Sequence, residues 1–380
     1  MFTSISPFSR SFLLVLLGAA LITACNSSDT TSSVDTGDVA LLITDNPTSA
    51  YDEINVVAEQ VSLVGEGLGH EAHLMTKTVT FNLLDLRNTF RRLSKCKAPV
   101  GTYNKVRFRI KDVELVKYSY DKNGKETRHS NKAHLKKKLI DLTARKQFAV
   151  SRHHKLVVKL DLDADKSLVT DPATEEPVLD PVTKDPVFDP DATVDTDEVP
   201  TDTPPQEVTP VLMNELGDVR NLQTDSFDLC NTNPDQSVDC IQVNVNLDTV
   251  VMNPALARVT TGISGINETF QWKVFGHLDV ITDTINALHV IEHRSQHRTY
   301  SGTLEVVNDQ IGLRVSDTTS YPVTIDSDNL PGVYDSAGNV LDVNALGAGV
   351  NVEVIGMLGL TGSLKPGVII IPIPVPCLLY

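Results

Sequence analysis

Apolar residues alternate with cations along Lys105-Val106-Arg107-Phe108-Arg109-Ile110-Lys111. Successive side chains of a strand leave opposite faces of a sheet, so this period of two marks a strand with one face in a core and one in water. Val39-Ala40-Leu41-Leu42-Ile43 and Val79-Thr80-Phe81-Asn82-Leu83-Leu84 read the same way, and Leu156, Val158, Leu160 and Leu162 alternate again. Asp45-Asn46-Pro47 closes the first run as a turn, since Pro cannot join a ladder and Asx side chains bond their own backbone. Residues 276–290 and 302–315 are two copies of one unit: strand, Asx-centred turn, strand. Each copy is a hairpin. The pattern predicts an all-β protein, with an N-terminal β-sandwich over 36–168 and a C-terminal small β-barrel or hairpin-repeat domain over 263–360.

The first 25 residues have another character. Arg10 precedes an apolar run from 12 to 22, the length of a signal-peptide core and too short to cross a bilayer. The run ends in Ile22-Thr23-Ala24-Cys25, small residues before a cysteine, which has the form of a bacterial lipoprotein signal with Cys25 as the lipidated residue. Acyl chains contribute about 0.8 kcal/mol per buried methylene, so two or three of them hold a protein on a membrane. Asn26 stands where Asp favours inner-membrane retention, so the expected location is the outer membrane, with 26–35 as a flexible tether.

The net charge of −16 conceals a segregation. Residues 86–160 carry 22 Lys/Arg against 5 acids, and residues 161–240 carry 21 acids against 3 bases. A basic sheet face made of Lys105, Arg107, Arg109, Lys111, Lys136, Lys137, Lys138, Arg152, Lys155 and Lys159 is a candidate for an envelope polyanion such as lipopolysaccharide. The competing reading is a solvated face neutralised by the chain's own acidic segment. Sequence-specific nucleic-acid binding is not expected, because stacking aromatics at fixed places are missing from the patch. In the acidic stretch 169–215, Asp-Pro recurs every nine residues from Asp171 through Asp180 to Asp189, with no glycine between Asp165 and Pro210. Frequent proline and like charge predict a disordered insert there, with weak calcium binding as the alternative.

Several spaced motifs together carry a resemblance. Thr44-Asp45-Asn46-Pro47, Tyr51-Asp52, the run Phe81 to Leu86, Gly101-Thr102-Tyr103-Asn104-Lys105-Val106-Arg107 and the run Leu160 to Ser167 resemble the bacterial domain of unknown function numbered 4382. The resemblance covers about 36–168. It implies a β-sandwich in an exported, lipid-anchored protein and transfers no catalytic residue. That family closes soon after its Asp-Lys-Ser motif with a Pro-containing strand. Here about 80 residues intervene, so a strand within 241–262, around Met252 to Val259, is expected to complete the sandwich. The C-terminal hairpins resemble small β-barrel domains of exported bacterial proteins of unknown function.

Candidate chemistry is sparse. Cys230 and Cys240 flank a short polar loop and are expected to form a disulfide in an oxidising compartment, within a segment 216–262 of loop and closing strand. Cys96 and Cys377 are left over, and their pairing is open. His289-Val290-Ile291-Glu292-His293 fits an inverted zinc-protease pattern, which needs a helix to stack the histidines. In a hairpin arm it cannot. Asp45, Asn46 and Asp52 lack the spacing of a calcium loop and read as a turn. The tail 361–380 is apolar with alternating prolines, an edge or docking strand. No cofactor is implied. The sequence favours a non-enzymatic, outer-membrane-anchored lipoprotein with a binding or scaffold role. The alternatives are an assembly factor acting through its tail and a zinc hydrolase at His289, Glu292 and His293.

Overall fold

The computed structural model describes residues 35–46, 50–65, 71–120, 126–174, 176–204, 207–307, 310–316, 319–359 and 361–372. Cys25, nearly all of the tether, and Cys377 lie outside them. The first module holds β1 (Thr36–Asn46), β2 (Glu53–Gly65), β3 (Glu71–Met75), β4 (Val79–Asn82), β5 (Arg91–Pro99), β6 (Gly101–Tyr120), β7 (Glu126–Lys132), β8 (His134–Leu135), β9 (Leu139–Val150), β10 (His154–Asp163), β11 (Val187–Phe188) and β12 (Asp191–Pro200). One sheet runs β12-β10-β1-β5. The other runs β3-β2-β6-β7, with β4 on β2 and β9 on β6.

Val39, Leu41 and Ile43 share one core with Val106, Phe108 and Ile110, so the two sheets form the expected sandwich. The alternation read in β6 holds. In β1 it does not, because Leu42 on the opposite face is also fully buried, in a second cluster with Val157 and the next module. A sheet covered on both faces needs apolar residues at every position, which is why Val39 to Ile43 is an unbroken apolar run.

The acidic insert is ordered, against the expectation of disorder. Asp171 Oδ1 accepts from the Ala173 amide at 2.8 Å, and Asp180 Oδ1 from those of Val182 and Thr183 at 2.9 and 2.8 Å. Proline follows each of these aspartates, where its fixed φ suits a turn. Valines nine residues apart then close a ring of main-chain bonds: Val178 to Val169 at 2.8 Å, Val187 to Val178 at 2.8 Å, and Val169 to Val187 at 3.1 Å. The ring seats Phe188 in the sandwich core. Next, β12 pairs antiparallel with β10 along its whole length. The insert thus supplies the strand that flanks β10, and 241–262 does not. Disorder was inferred from composition, but local Asx turns and one pairing partner satisfy the backbone that proline leaves short of donors.

Two barrels follow. The first holds β13 (Val211–Arg220), β14 (Ser226–Thr232), β15 (Val238–Asn244), β16 (Val250–Met252), β17 (Arg258–Thr261), β18 (Gln271–Asp279) and β19 (Thr284–Glu292). The order β15-β14-β13-β18-β19 closes through a parallel β15–β19 pairing, and β16 and β17 continue from β19. The second holds β20 (His297–Val307), β21 (Gln310–Ser316), β22 (Thr319–Pro322), β23 (Gly332–Asp335), β24 (Asn351–Leu358) and β25 (Leu364–Ile371). Its order is β22-β21-β20-β24-β25-β23, and a parallel bridge from Val323 to Leu364 joins the end after β22 to β25. Both rings therefore run 1-2-3-5-4-1, the connectivity of an OB-type barrel. The two repeated hairpins are real, but they are strands 4–5 of the first barrel and strands 1–2 of the second.

Glycine explains their likeness. A Cβ on Gly276 would sit 2.4 Å from the Asn286 carbonyl oxygen, and one on Gly302 would sit 2.4 Å from that of Arg314. Both strands bend too tightly against the next one to carry a side chain. The disulfide Cys230–Cys240 joins directly opposed positions of β14 and β15, as expected. Two boundaries change. Residues 241–262 belong to the first barrel, and the tail forms β25 between β24 and β23, with Val368, Ile369 and Ile370 buried.

Candidate functional site

The 3₁₀ turn Leu83–Leu86 and the strand after it bond the sandwich to the barrels, alongside Lys77–Asp239 at 2.8 Å and Arg298–Glu126 at 3.0 Å. Phe90 donates its amide to Leu212 O at 2.8 Å and accepts from Asn214 N at 3.0 Å. The Arg92 guanidinium reaches Asp283 and Cys240 O, and Glu215 Oε1 accepts from the Arg92 amide at 2.6 Å. These contacts cover the outer face of the β1 sheet and leave Arg109 and Lys111 of β6 exposed, while Arg298 of the second barrel covers Tyr118 further along that strand.

Of the ten candidate cations, Lys105, Arg107, Arg109 and Lys111 stand on β6, Lys155 and Lys159 on β10, and Lys136, Lys137, Lys138 and Arg152 in the turns before β9 and β10. The ten therefore do not make one face. Lys155 is 3% exposed beneath the first barrel, and burial pushes its ammonium below the ordinary lysine range. A polyanion cannot reach it there. Several others are matched by carboxylates: Lys159 by Asp197 at 2.6 Å, Lys136 and Lys137 by Asp189 at 3.4 and 3.2 Å, and Arg152 by Asp35. Asp189 and Asp197 of the acidic insert are thus folded back onto basic residues.

On β6 the match is incomplete. The Arg107 guanidinium grips Asp141 at 2.7 and 2.9 Å and Glu71 at 3.0 Å, and its hydrogen bonds hold the Asp141 carboxyl below the usual carboxylate range. Lys111 pairs with Glu59 at 3.2 Å. Arg109 is exposed and makes no ion pair among the described residues. It stands opposite Gln60 of β2 and borders a groove of about 380 Å³ lined by Glu59, Gln60, His73, Thr76 and Thr78. Gln60 Nε2 lies 3.1 Å from His73 Nδ1 and 3.0 Å from Ser62 Oγ, which fixes both side chains beside the guanidinium. Lys138 is exposed nearby, its carbonyl accepting from the Ile110 amide. Lys105 lies close enough to Asp141 to help stabilise that carboxylate.

The alternation pointed to Arg109 but not to its companions. Gln60 and His73 lie some 50 and 36 residues upstream, and only the pairing of β2 with β3 and β6 gathers them.

His289, Glu292 and His293 are not assembled. β19 is extended. His289 Nδ1 lies 2.9 Å from the Tyr334 hydroxyl, while Glu292 pairs with Arg294 at 2.8 Å. Burial pushes both His289 and His293 down to about 4. Among the described residues no group of three His, Cys, Asp or Glu is placed to hold a metal ion.

The matched part of the chain coincides with the module that bears the groove. Residues 36–181 match the family described as Domain of unknown function (DUF4382). Over those residues the first module is similar to that family. No curated protein and no solved structure matches the chain. The DUF4382 match ends inside the nine-residue ring, before β12 adds the flanking strand to β10.

Proposed function

We propose that this chain is a non-enzymatic lipoprotein of the bacterial outer membrane, anchored through Cys25, whose DUF4382 domain holds an envelope polyanion such as lipopolysaccharide against its outer face. One observation carries the reading: Arg109 meets a groove with hydrogen-bonding side chains while its neighbours Arg107 and Lys111 are neutralised by their own carboxylates. A guanidinium presents a planar fork that fits phosphate, sulfate and carboxylate groups, and Gln60, His73 and the two threonines supply further polar contacts. Lys138 and Lys105 extend the positive surface along β6 and β9. Because the site is exposed, attraction falls with ionic strength. The segment ending in Cys25 supports the anchor.

Retention on immobilised heparin and on lipopolysaccharide tests the site. Arg109→Ala should weaken binding about 10- to 100-fold, the worth of one or two charge-assisted hydrogen bonds. Lys136→Ala should change little, since Asp189 already neutralises that lysine. If the intact protein is not retained even at low ionic strength, the proposal is lost. Labelling with radioactive palmitate, absent in Cys25→Ser, tests the anchor.

The assembly-factor alternative loses its main support, because the apolar segment it relied on is an interior strand of the second barrel as far as Ile371.

A further inference from the structure

Where the sandwich meets the second barrel, a cavity of about 160 Å³ opens between Tyr51, Asp52 and Arg87 on one wall and Arg298, Tyr300 and Tyr321 on the other. Both guanidiniums are more than nine-tenths buried, at 4% and 6% exposure. Each is held by neighbours, Arg298 from behind and Arg87 at the cavity wall. Arg298 lies 3.5 Å over the ring of Tyr118 and 3.0 Å from Glu126, and Arg87 donates to Ser301. Tyr300 and Tyr321 meet edge to face at 5.9 Å. Four aliphatic hydroxyls, those of Thr299, Ser301, Ser316 and Thr319, complete the lining.

The chemistry of this lining is mixed in a specific way. Aromatic rings offer apolar faces, hydroxyls and a carboxylate offer hydrogen bonds of both senses, and two guanidiniums, Arg298 paired behind with Glu126 and Arg87 set near Glu353, line the walls with Asp52. A sugar ring presents that same combination, with C–H faces and a rim of hydroxyls, and a carboxylated sugar adds the charge that two guanidiniums accept. Size limits the occupant: the cavity is about half of the roughly 300 Å³ at which drug-sized pockets begin. Within its walls it has the size of one ring. We propose that this cavity binds a single anionic sugar unit, a hexuronate, with its carboxylate toward Arg298 and Arg87 and its ring against Tyr321. The side chains are already held in place, so little ordering remains to oppose binding. The site is separate from the Arg109 groove, and either can fail alone.

Thermal melting and titration calorimetry on the mature protein, with D-glucuronate, D-glucose and inorganic phosphate as separate probes, test the proposal. Glucuronate should raise the melting temperature saturably, and glucose should do so at least tenfold more weakly. Arg298→Gln and, separately, Tyr321→Ala should each weaken glucuronate at least tenfold. Lys136→Ala should leave it unchanged, since Asp189 already pairs with that lysine. Tyr321→Ala removes a half-buried ring, so it keeps the test open should Arg298→Gln fail to fold. No response to glucuronate at 100-fold the concentration of protein, equal responses to glucose and glucuronate, or a response to phosphate as strong as that to glucuronate would each overturn it.

Discussion

The ammonium of Lys273 on β18 lies 3.2 Å from Asp85 Oδ1, joining the first barrel to the sandwich turn. Thr299 of β20 donates to the same carboxylate at 3.2 Å, and Asn214 Nδ2 donates to the Asp85 carbonyl at 2.7 Å. One residue of the sandwich module is thus bonded to both barrels. The Lys273 side chain is 3% exposed and that of Asp85 25%. The two halves of the pair therefore differ in what their loss leaves behind.

Asp85→Asn strands a buried ammonium and should cost about 3–5 kcal/mol, whereas Lys273→Met leaves a carboxylate that water still reaches and should cost clearly less. Urea unfolding of the two variants gives the comparison. Equal losses would mean that the pair is not what couples the modules.

Burial raises the Glu353 carboxyl from 4.5 to about 7, against the lowering influence of Arg87, Ser301 and Asn88. The folded protein therefore keeps this proton up to about pH 7, while the unfolded chain releases it near 4.5. Its contribution to stability is full below 4.5 and is lost as pH rises to 7. Glu353→Gln should remove that slope, so its stability relative to wild type should be higher at pH 8 than at pH 4, by an amount of order 3 kcal/mol. Histidines 289 and 293 act in the opposite direction. Their depressed values make stability fall as pH drops from 6.5 to about 4. Denaturant midpoints measured across pH 4–8 for the variant and wild type separate the two effects.

Gly302→Ala should destabilise by about 1–3 kcal/mol or more, since its Cβ would strike the Arg314 carbonyl in a closed ring that cannot yield. Gly347→Ala has open space around it and should stay within about 0.5 kcal/mol of wild type. Chemical denaturation of both should show the contrast. Similar small effects would mean that the ring is looser than its hydrogen bonds imply.

Ending the chain after Leu364 removes most of β25, which pairs on both sides and buries Val368, Ile369 and Ile370. The second barrel should then lose its cooperative transition and the first barrel should be destabilised with it, since Val368 and Ile370 pack in one cluster with Leu212, Met252 and Phe275, while the sandwich keeps its own transition. Calorimetry of the truncated chain would resolve this. An unchanged thermogram would show that β25 is dispensable.

Local chemistry made much of this protein legible from its residues alone. Alternation in β6 set its inward and outward faces, the two glycine-led hairpins declared themselves by repetition, and Cys230 and Cys240 advertised their bond. These features depend on neighbours in the chain or on one partner strand, and a pattern of types records them. Other features depend on what lies across a sheet. The run at Val39 to Ile43 reads as a strand with one face in water, but the first barrel covers that outer face, and the same cover takes Lys155 out of water. Composition argued that the Asp-Pro repeats could not fold, yet three valines spaced by nine close a ring there because turns bring their amides and carbonyls together. The companions of Arg109 and the walls of the cavity beside Arg298 come from segments far apart in the chain. Only tertiary pairing decides which distant side chains meet, because the energy that joins them belongs to packing and not to any stretch of sequence.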